Sequence, residues 1–196
     1  WAAIDASPFF DDNGDLYLYF NKHTDDHYNS LKGVWGMKMT SMSNPDYSTV
    51  SCLAVPGKVT VSNTKGSIEK ITKGSNYYDS SEGNINEAPF MLKHNGKYYL
   101  TYASNGCTCA DYSVHQAIGN SPLGTFVKVS DTKGNPVLRG DQLGYVNGTA
   151  HHSFVNCGDE LWIVYHKHNS LQGMEKGWDR SISVDRANFV TNDDGI

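Results

Sequence analysis

Three residues of this chain combine a titratable side chain with a matched position in the sequence: Asp5, Glu87 and His151. Asp5 leads Ala-Ser-Pro-Phe-Phe towards a turn at Asp12-Asn-Gly14 and the run Leu16-Tyr-Leu-Tyr19. Glu87 leads Ala-Pro-Phe-Met-Leu towards His94-Asn-Gly96 and Lys97-Tyr-Tyr-Leu-Thr-Tyr102. His151 leads His-Ser-Phe-Val towards Gly158 and Glu160-Leu-Trp-Ile-Val-Tyr165. An Asp at the start of a strand often does no more than end a turn. Two acids and a histidine that each precede an apolar strand, itself unable to do chemistry, point instead to a shared acid–base site.

The elements that must position these residues follow from the same repeat. Each unit is a polar residue, an apolar strand, a Gly-containing turn and a second strand rich in aromatic and β-branched residues, which is a β-hairpin. The Asn-Gly pairs at 13–14 and 95–96 predict type I′ turns, whose central positions both need positive φ. Further strands are expected at Val34 to Met39, Val114 to Ile118 and Ile182 to Val184, and no helical periodicity competes with them. The fold class is therefore all-β. Residues 1–196 read as a single β-propeller domain, with about three blades beginning near residues 5, 87 and 151 and long loops inserted between strands. A β-sandwich is the alternative, but it gives no reason for strands to restart with the same register and turn. In a propeller the innermost strand of each blade lines a central channel, so Asp5, Glu87 and His151 are expected to meet at one mouth of it.

Composition limits the partners. The formal charge is −5 and no Lys/Arg run is longer than a pair, which argues against nucleic acid and anionic membrane. No apolar run approaches the ~20 residues of a membrane span. The chain holds 12 Tyr and 4 Trp, rings with a polar tip that stack on sugar faces while bonding to hydroxyls. Phe10 and Trp35 are the aromatic candidates for that role. Cys107-Thr-Cys109 lacks the second Cys/His cluster a structural zinc requires, so Cys52, Cys107, Cys109 and Cys157 are read as ordinary buried or loop cysteines. The chain starts at Trp1 without an initiator Met or a signal h-region, and the expectation is that an upstream segment has been removed.

The motifs also resemble a known family. Ile4-Asp5-Ala-Ser-Pro-Phe-Phe through Phe20 is similar to the second-blade motif of glycoside hydrolase family 43, and Asn86-Glu87-Ala-Pro-Phe90 with Gly96-Lys-Tyr-Tyr-Leu-Thr-Tyr-Ala103 resembles its third. Ala117 to Phe126 resembles the close of that blade, and Gly148-Thr-Ala-His-His-Ser153 with Trp162 to His166 resembles the fourth. The resemblance implies a five-bladed propeller that hydrolyses xylosidic or arabinofuranosidic bonds of plant cell-wall polysaccharides or their oligosaccharides, with inversion. In that reading Glu87 is the general acid and Asp5 orients it and tunes its proton affinity. His151 is the channel histidine, beside a calcium held mostly through water, and Arg180 faces substrate, a solvated surface arginine being the other reading of it.

An inverting site needs its two working carboxyls ~6.5–9.5 Å apart, one protonated and one ionised, and Glu87 can be the acid only if its environment keeps it protonated. No cofactor is required for the chemistry. The family's general base is an Asp of the first blade, commonly followed by Pro, and no Asp-Pro occurs in this sequence. The chain is therefore expected to be a fragment lacking the first blade and much of the last, which pairs with a complementary chain. A truncated inactive product and a non-catalytic carbohydrate-binding module are the alternatives. A secreted or periplasmic location is expected.

Overall fold

Runs such as Leu16-Tyr-Leu-Tyr-Phe-Asn and Tyr98-Tyr-Leu-Thr-Tyr-Ala load both faces of a strand with aromatic and apolar groups, as strands covered on two sides require. In the computed structural model, which describes residues 2–23, 33–56, 85–129, 134–141, 143, 145–169 and 179–191, these runs are the second strands of three antiparallel sheets. The first sheet is built from β1 (Ala2–Phe10), β2 (Leu16–His23), β3 (Gly33–Ser41), β4 (Asn44–Pro45) and β5 (Ser51–Ala54). The second runs β6 (Asn86–His94), β7 (Lys97–Ser104), β8 (Ser113–Gly119), β9 (Phe126–Lys128). The third is β10 (Ala150–Cys157), β11 (Glu160–His168), β12 (Arg180–Ala187). The expected strands at 34–39, 114–118 and 182–184 fall inside β3, β8 and β12. Each sheet opens on an edge strand, which is why Pro8 and Pro89, lacking an N–H for a second neighbour, are tolerated in β1 and β6.

The two Asn-Gly turns differ. At 95–96 both residues have positive φ (48° and 74°), the type I′ pattern. At the first hairpin only Gly14 does (83°), Gly14 N–H donates to Asp11 O and Asp11 N–H donates to Asp15 O. That is a three-residue loop, a type I turn closed by a left-handed glycine, and the expected type I′ turn is not formed. The extra residue has a consequence for the site.

The core between the first two sheets is a packed cluster of Tyr17, Tyr19, Leu53, Met91, Tyr98, Leu100, Tyr102 and Phe126, all buried. At its outer end Asp11 accepts from the Tyr98 hydroxyl and pairs with Lys93, tying one hairpin to the next. Trp35 lies in a second cluster with Phe20, Val50, Cys52 and Val55, is 2% exposed, and carries the Lys22 ammonium 5.1 Å from its ring centre. A sugar face cannot reach it, so Trp35 packs the first sheet rather than lining a substrate site.

Candidate active site

The first strand of every sheet carries the same irregularity. Ile4 pairs with Asn21 and Ser7 with Tyr19, so Asp5 and Ala6 together oppose Phe20. Likewise Ala88 and Pro89 oppose Tyr102, and His151 and His152 oppose Tyr165. These are β-bulges, two residues against one, which turn a side chain away from the regular alternation. The bulged residues Asp5, Ala88 and His151 all have positive φ (57°, 48° and 50°), a conformation uncommon for residues other than glycine. Asp5 and His151 thus hold equivalent register positions in their sheets. Glu87 does not: it sits one residue before its bulge, and Ala88 occupies the equivalent position. The offset arises because the first hairpin loop is one residue longer than the second, so counting back from the glycine misaligns the strands by one.

The three bulges surround a pocket of about 300 Å³ lined by Asp5 to Pro8, Ala88 to Phe90 and His151 to Ser153. Asp5 Oδ2 accepts from the Ala88 N–H at 3.1 Å, and Asp5 Oδ1 lies 3.9 Å from His151 Nε2. Glu87 is not among the residues that line this pocket; it precedes Ala88, is 8% exposed, and its Oε1 accepts the Tyr112 hydroxyl proton at 2.7 Å. The residue before it is pinned as well: the Asn86 carbonyl accepts from Asn21, and its side chain bonds Ser104 and Lys128. The backbone that carries Glu87 is therefore held from both sheets.

The third sheet adds a basic wall. Arg180 Nη1 meets His166 Nε2 at 3.2 Å, and the His166 ring lies 6.2 Å from that of His151 and stacks on Tyr112 at 5.6 Å. Burial, then Arg180 and the neighbouring His151 and His168, push His166 down to about 4, so it is neutral and accepts the Arg180 proton. His168 bonds the Cys107 carbonyl through Nε2 at 2.9 Å. Gly148, with φ 60°, lies against that ring so closely that a Cβ there would be 2.3 Å from His168 Nδ1.

Arg180 is therefore brought to the cluster through His166. Phe10 is not, since it lies five residues along β1 from Asp5, roughly 16 Å in an extended strand, with 61% of its surface exposed. Tyr112 and His166 are the site residues that strand patterning alone passes over; the aromatic opposite each bulge is the signal that would have aligned the repeat. Among the described residues no group of three or more His, Cys, Asp or Glu converges as a metal site would. Asp5 and His151 do not make a calcium shell by themselves.

Residues 1–195 match the profile described as Glycosyl hydrolases family 43. The chain belongs to that family. A β-D-galactofuranosidase xynD of Aspergillus niger is 30% identical over 84% of this chain and 37% of its own length. A β-xylosidase of Xylanibacter ruminicola is 25% identical over 93% of this chain and 54% of its own. The crystal structure of a thermostable family-43 glycoside hydrolase superposes with TM-score 0.73 at 28% identity, covering all of this chain and 56% of that one. Solved family-43 structures are five-bladed β-propellers, and this all-β chain shares their fold. The chain spans between a third and three-fifths of the lengths of these relatives.

Proposed function

We propose that this family-43 chain supplies the proton-donating half of a glycoside-hydrolysing site, with Glu87 as general acid, acting on xylosidic or arabinofuranosidic bonds. The observation that carries this reading is the Glu87 carboxyl, 8% exposed and held by the Tyr112 hydroxyl, on the residue that precedes Ala88 of the pocket lined by Asp5. Relatives named β-xylosidase and xylosidase/arabinosidase support the substrate class.

In the proposed reaction the glycosidic oxygen takes the Glu87 proton as its bond to the anomeric carbon breaks. Water adds at that carbon from the opposite face and gives its proton to a second carboxylate, which inverts the configuration. Asp5 is committed to the Ala88 N–H and the His151 edge, so it orients the acid and holds negative charge beside it. The water-activating base is proposed to come from a carboxylate other than these two. Arg180 and His151 bind sugar hydroxyls. A calcium ion in the channel would have to be held largely by water, and no step depends on one.

The test is Glu87→Gln in the wild-type background, assayed on aryl glycosides of graded leaving-group acidity. Hydrolysis should fall by ~10²–10⁴-fold with a poor leaving group and far less with an activated one. Proton NMR of the first product should show inversion. Equal losses on both substrates would remove Glu87 from the role of acid.

A further inference from the structure

Strand patterning does not single out Tyr112, yet its hydroxyl bonds directly to Glu87. Tyr112 lies just before β8, fully buried, among Ala88, Ala103, Val114 and Ala150. Three of those four neighbours are alanine, and two of them sit at or beside the bulges; larger side chains there would take the volume the ring occupies. One ring face stacks on His166, which Arg180 in turn engages, so the ring is fixed from the third sheet as well as the second. With its plane set by these contacts, the hydroxyl donates to Glu87 Oε1 at 2.7 Å.

We propose that Tyr112 is the positioning residue of the acid: by donating to Oε1 it leaves Oε2 as the oxygen that carries the transferable proton. A carboxylic acid has one O–H, and an oxygen that accepts a phenol proton at this distance is the carbonyl-like one. Burial, and next the Glu87 carboxylate, push the Tyr112 phenol well above the usual tyrosine range, so it remains a donor throughout the accessible pH range. When Oε2–H gives its proton to the leaving oxygen, the charge left on Glu87 is met at once by a hydrogen bond already in place, without rearrangement of the site. The arrangement also prevents the carboxyl from rotating and presenting the wrong oxygen. Tyr112 touches neither substrate nor the reacting atoms, and its effect passes entirely through Glu87.

This inference rests on the reading of Glu87 as acid, and two measurements separate the two. In protein labelled with ¹³Cζ-tyrosine, the resonance missing from Tyr112→Phe is that of Tyr112; removing the acceptor by Glu87→Ala should move it upfield, and an unmoved resonance overturns the contact. In kinetics, Tyr112→Phe keeps the ring and its packing, and should lower kcat on a poor leaving group by ~10–100-fold while KM changes less than about twofold. On an activated aryl glycoside the same variant should stay within about threefold of wild type. If Glu87→Gln discriminates between the substrates and Tyr112→Phe does not, the positioning role is wrong and the acid stands. If Glu87→Gln itself does not discriminate, the acid assignment fails and the positioning role with it.

Discussion

The junction between the first and second sheets and the free side of the third are both made from antiparallel strands, yet they are packed very differently. At the junction, Tyr19, Leu100 and Tyr102 are fully buried and interlock with Tyr17, Met91 and Phe126. On the third sheet, Val155, Val184 and Ile182 are 49%, 50% and 79% exposed, although Val184 faces Val164 in register and Ile182 faces His166. Part of the difference is written in the strands themselves: β2 and β7 carry apolar groups on both faces, whereas β12 alternates Ile182 and Val184 with Ser181, Ser183 and Asp185; the rest is made by what lies against them. The site straddles this divide. Asp5 and Glu87 stand on β1 and β6, at the tight junction, whereas His151 and Arg180 stand on β10 and β12, in the open sheet. The carboxylates therefore sit on the tightly packed half, which suits the proposed proton donor, whose geometry has to be fixed.

The junction should be the costliest place to cut. Leu100→Ala removes a fully buried side chain from β7, whose neighbours on both sheets are too interlocked to collapse into the space. A loss of about 2–5 kcal/mol is expected in urea or guanidinium unfolding, with the slope of the transition unchanged. A loss below about 1 kcal/mol would mean that the junction relaxes, and that the contrast between the halves is smaller than the burial implies.

Much of this was legible beforehand, in uneven ways. The all-β class and the strands could be read from alternation and turn residues because those signals are local. Asp5, Glu87 and His151 could be singled out because each breaks an otherwise apolar strand. Their exact equivalence could not, because a single extra loop residue between Asp11 and Asp15 shifts the count, and only hydrogen-bond register reveals it. Trp35 was misjudged for a different reason: the type of a side chain suits it to stacking on sugar or to filling a core, and the choice is made by residues distant in sequence such as Val50 and Cys52. Phe10 is accessible but too far along its strand from Asp5. Tyr112 and His166 escaped notice because they belong to second and third strands or their flanks, where polar aromatics are commonplace.

The contact between the second and third sheets should loosen with acid. His152 is buried beside Phe90 and Phe154. The Thr101 hydroxyl donates to the Phe90 carbonyl, so its oxygen accepts from His152 Nε2 at 2.7 Å, which leaves Nδ1 as a buried acceptor without a partner. Protonation would place a second N–H in that partnerless position. Burial, with His151 alongside, accordingly pushes His152 down to about 3. The unfolded chain takes up a proton near the ordinary pKa of ~6.5 and the folded chain does not, so stability is complete above that value and falls as pH drops towards 3. At pH 5 the loss from this one residue is about 2 kcal/mol. Unfolding followed between pH 7 and 4 should show that slope, and His152→Gln should flatten it; a slope unchanged in the variant would assign the acid sensitivity to other groups.

The smallest effect is expected on the open side, and it is the most direct check of the comparison. Val184→Ala on β12 removes two methyl groups from a side chain that is already half in water, with Val164 as its in-register neighbour on the same face. The area withdrawn from solvent is small, and a chain free in solution should lose no more than about 0.5 kcal/mol, most of it from strand propensity. Leu100→Ala and Val184→Ala should then differ severalfold although both are apolar truncations in strands. A cost for Val184→Ala approaching that of Leu100→Ala would require this face to be covered in solution, and repeating the measurement over a range of protein concentrations would tell whether a second molecule covers it. A cost that stays small at every concentration leaves the free side of the third sheet in water, and with it the β12 strand that presents Arg180 to the site.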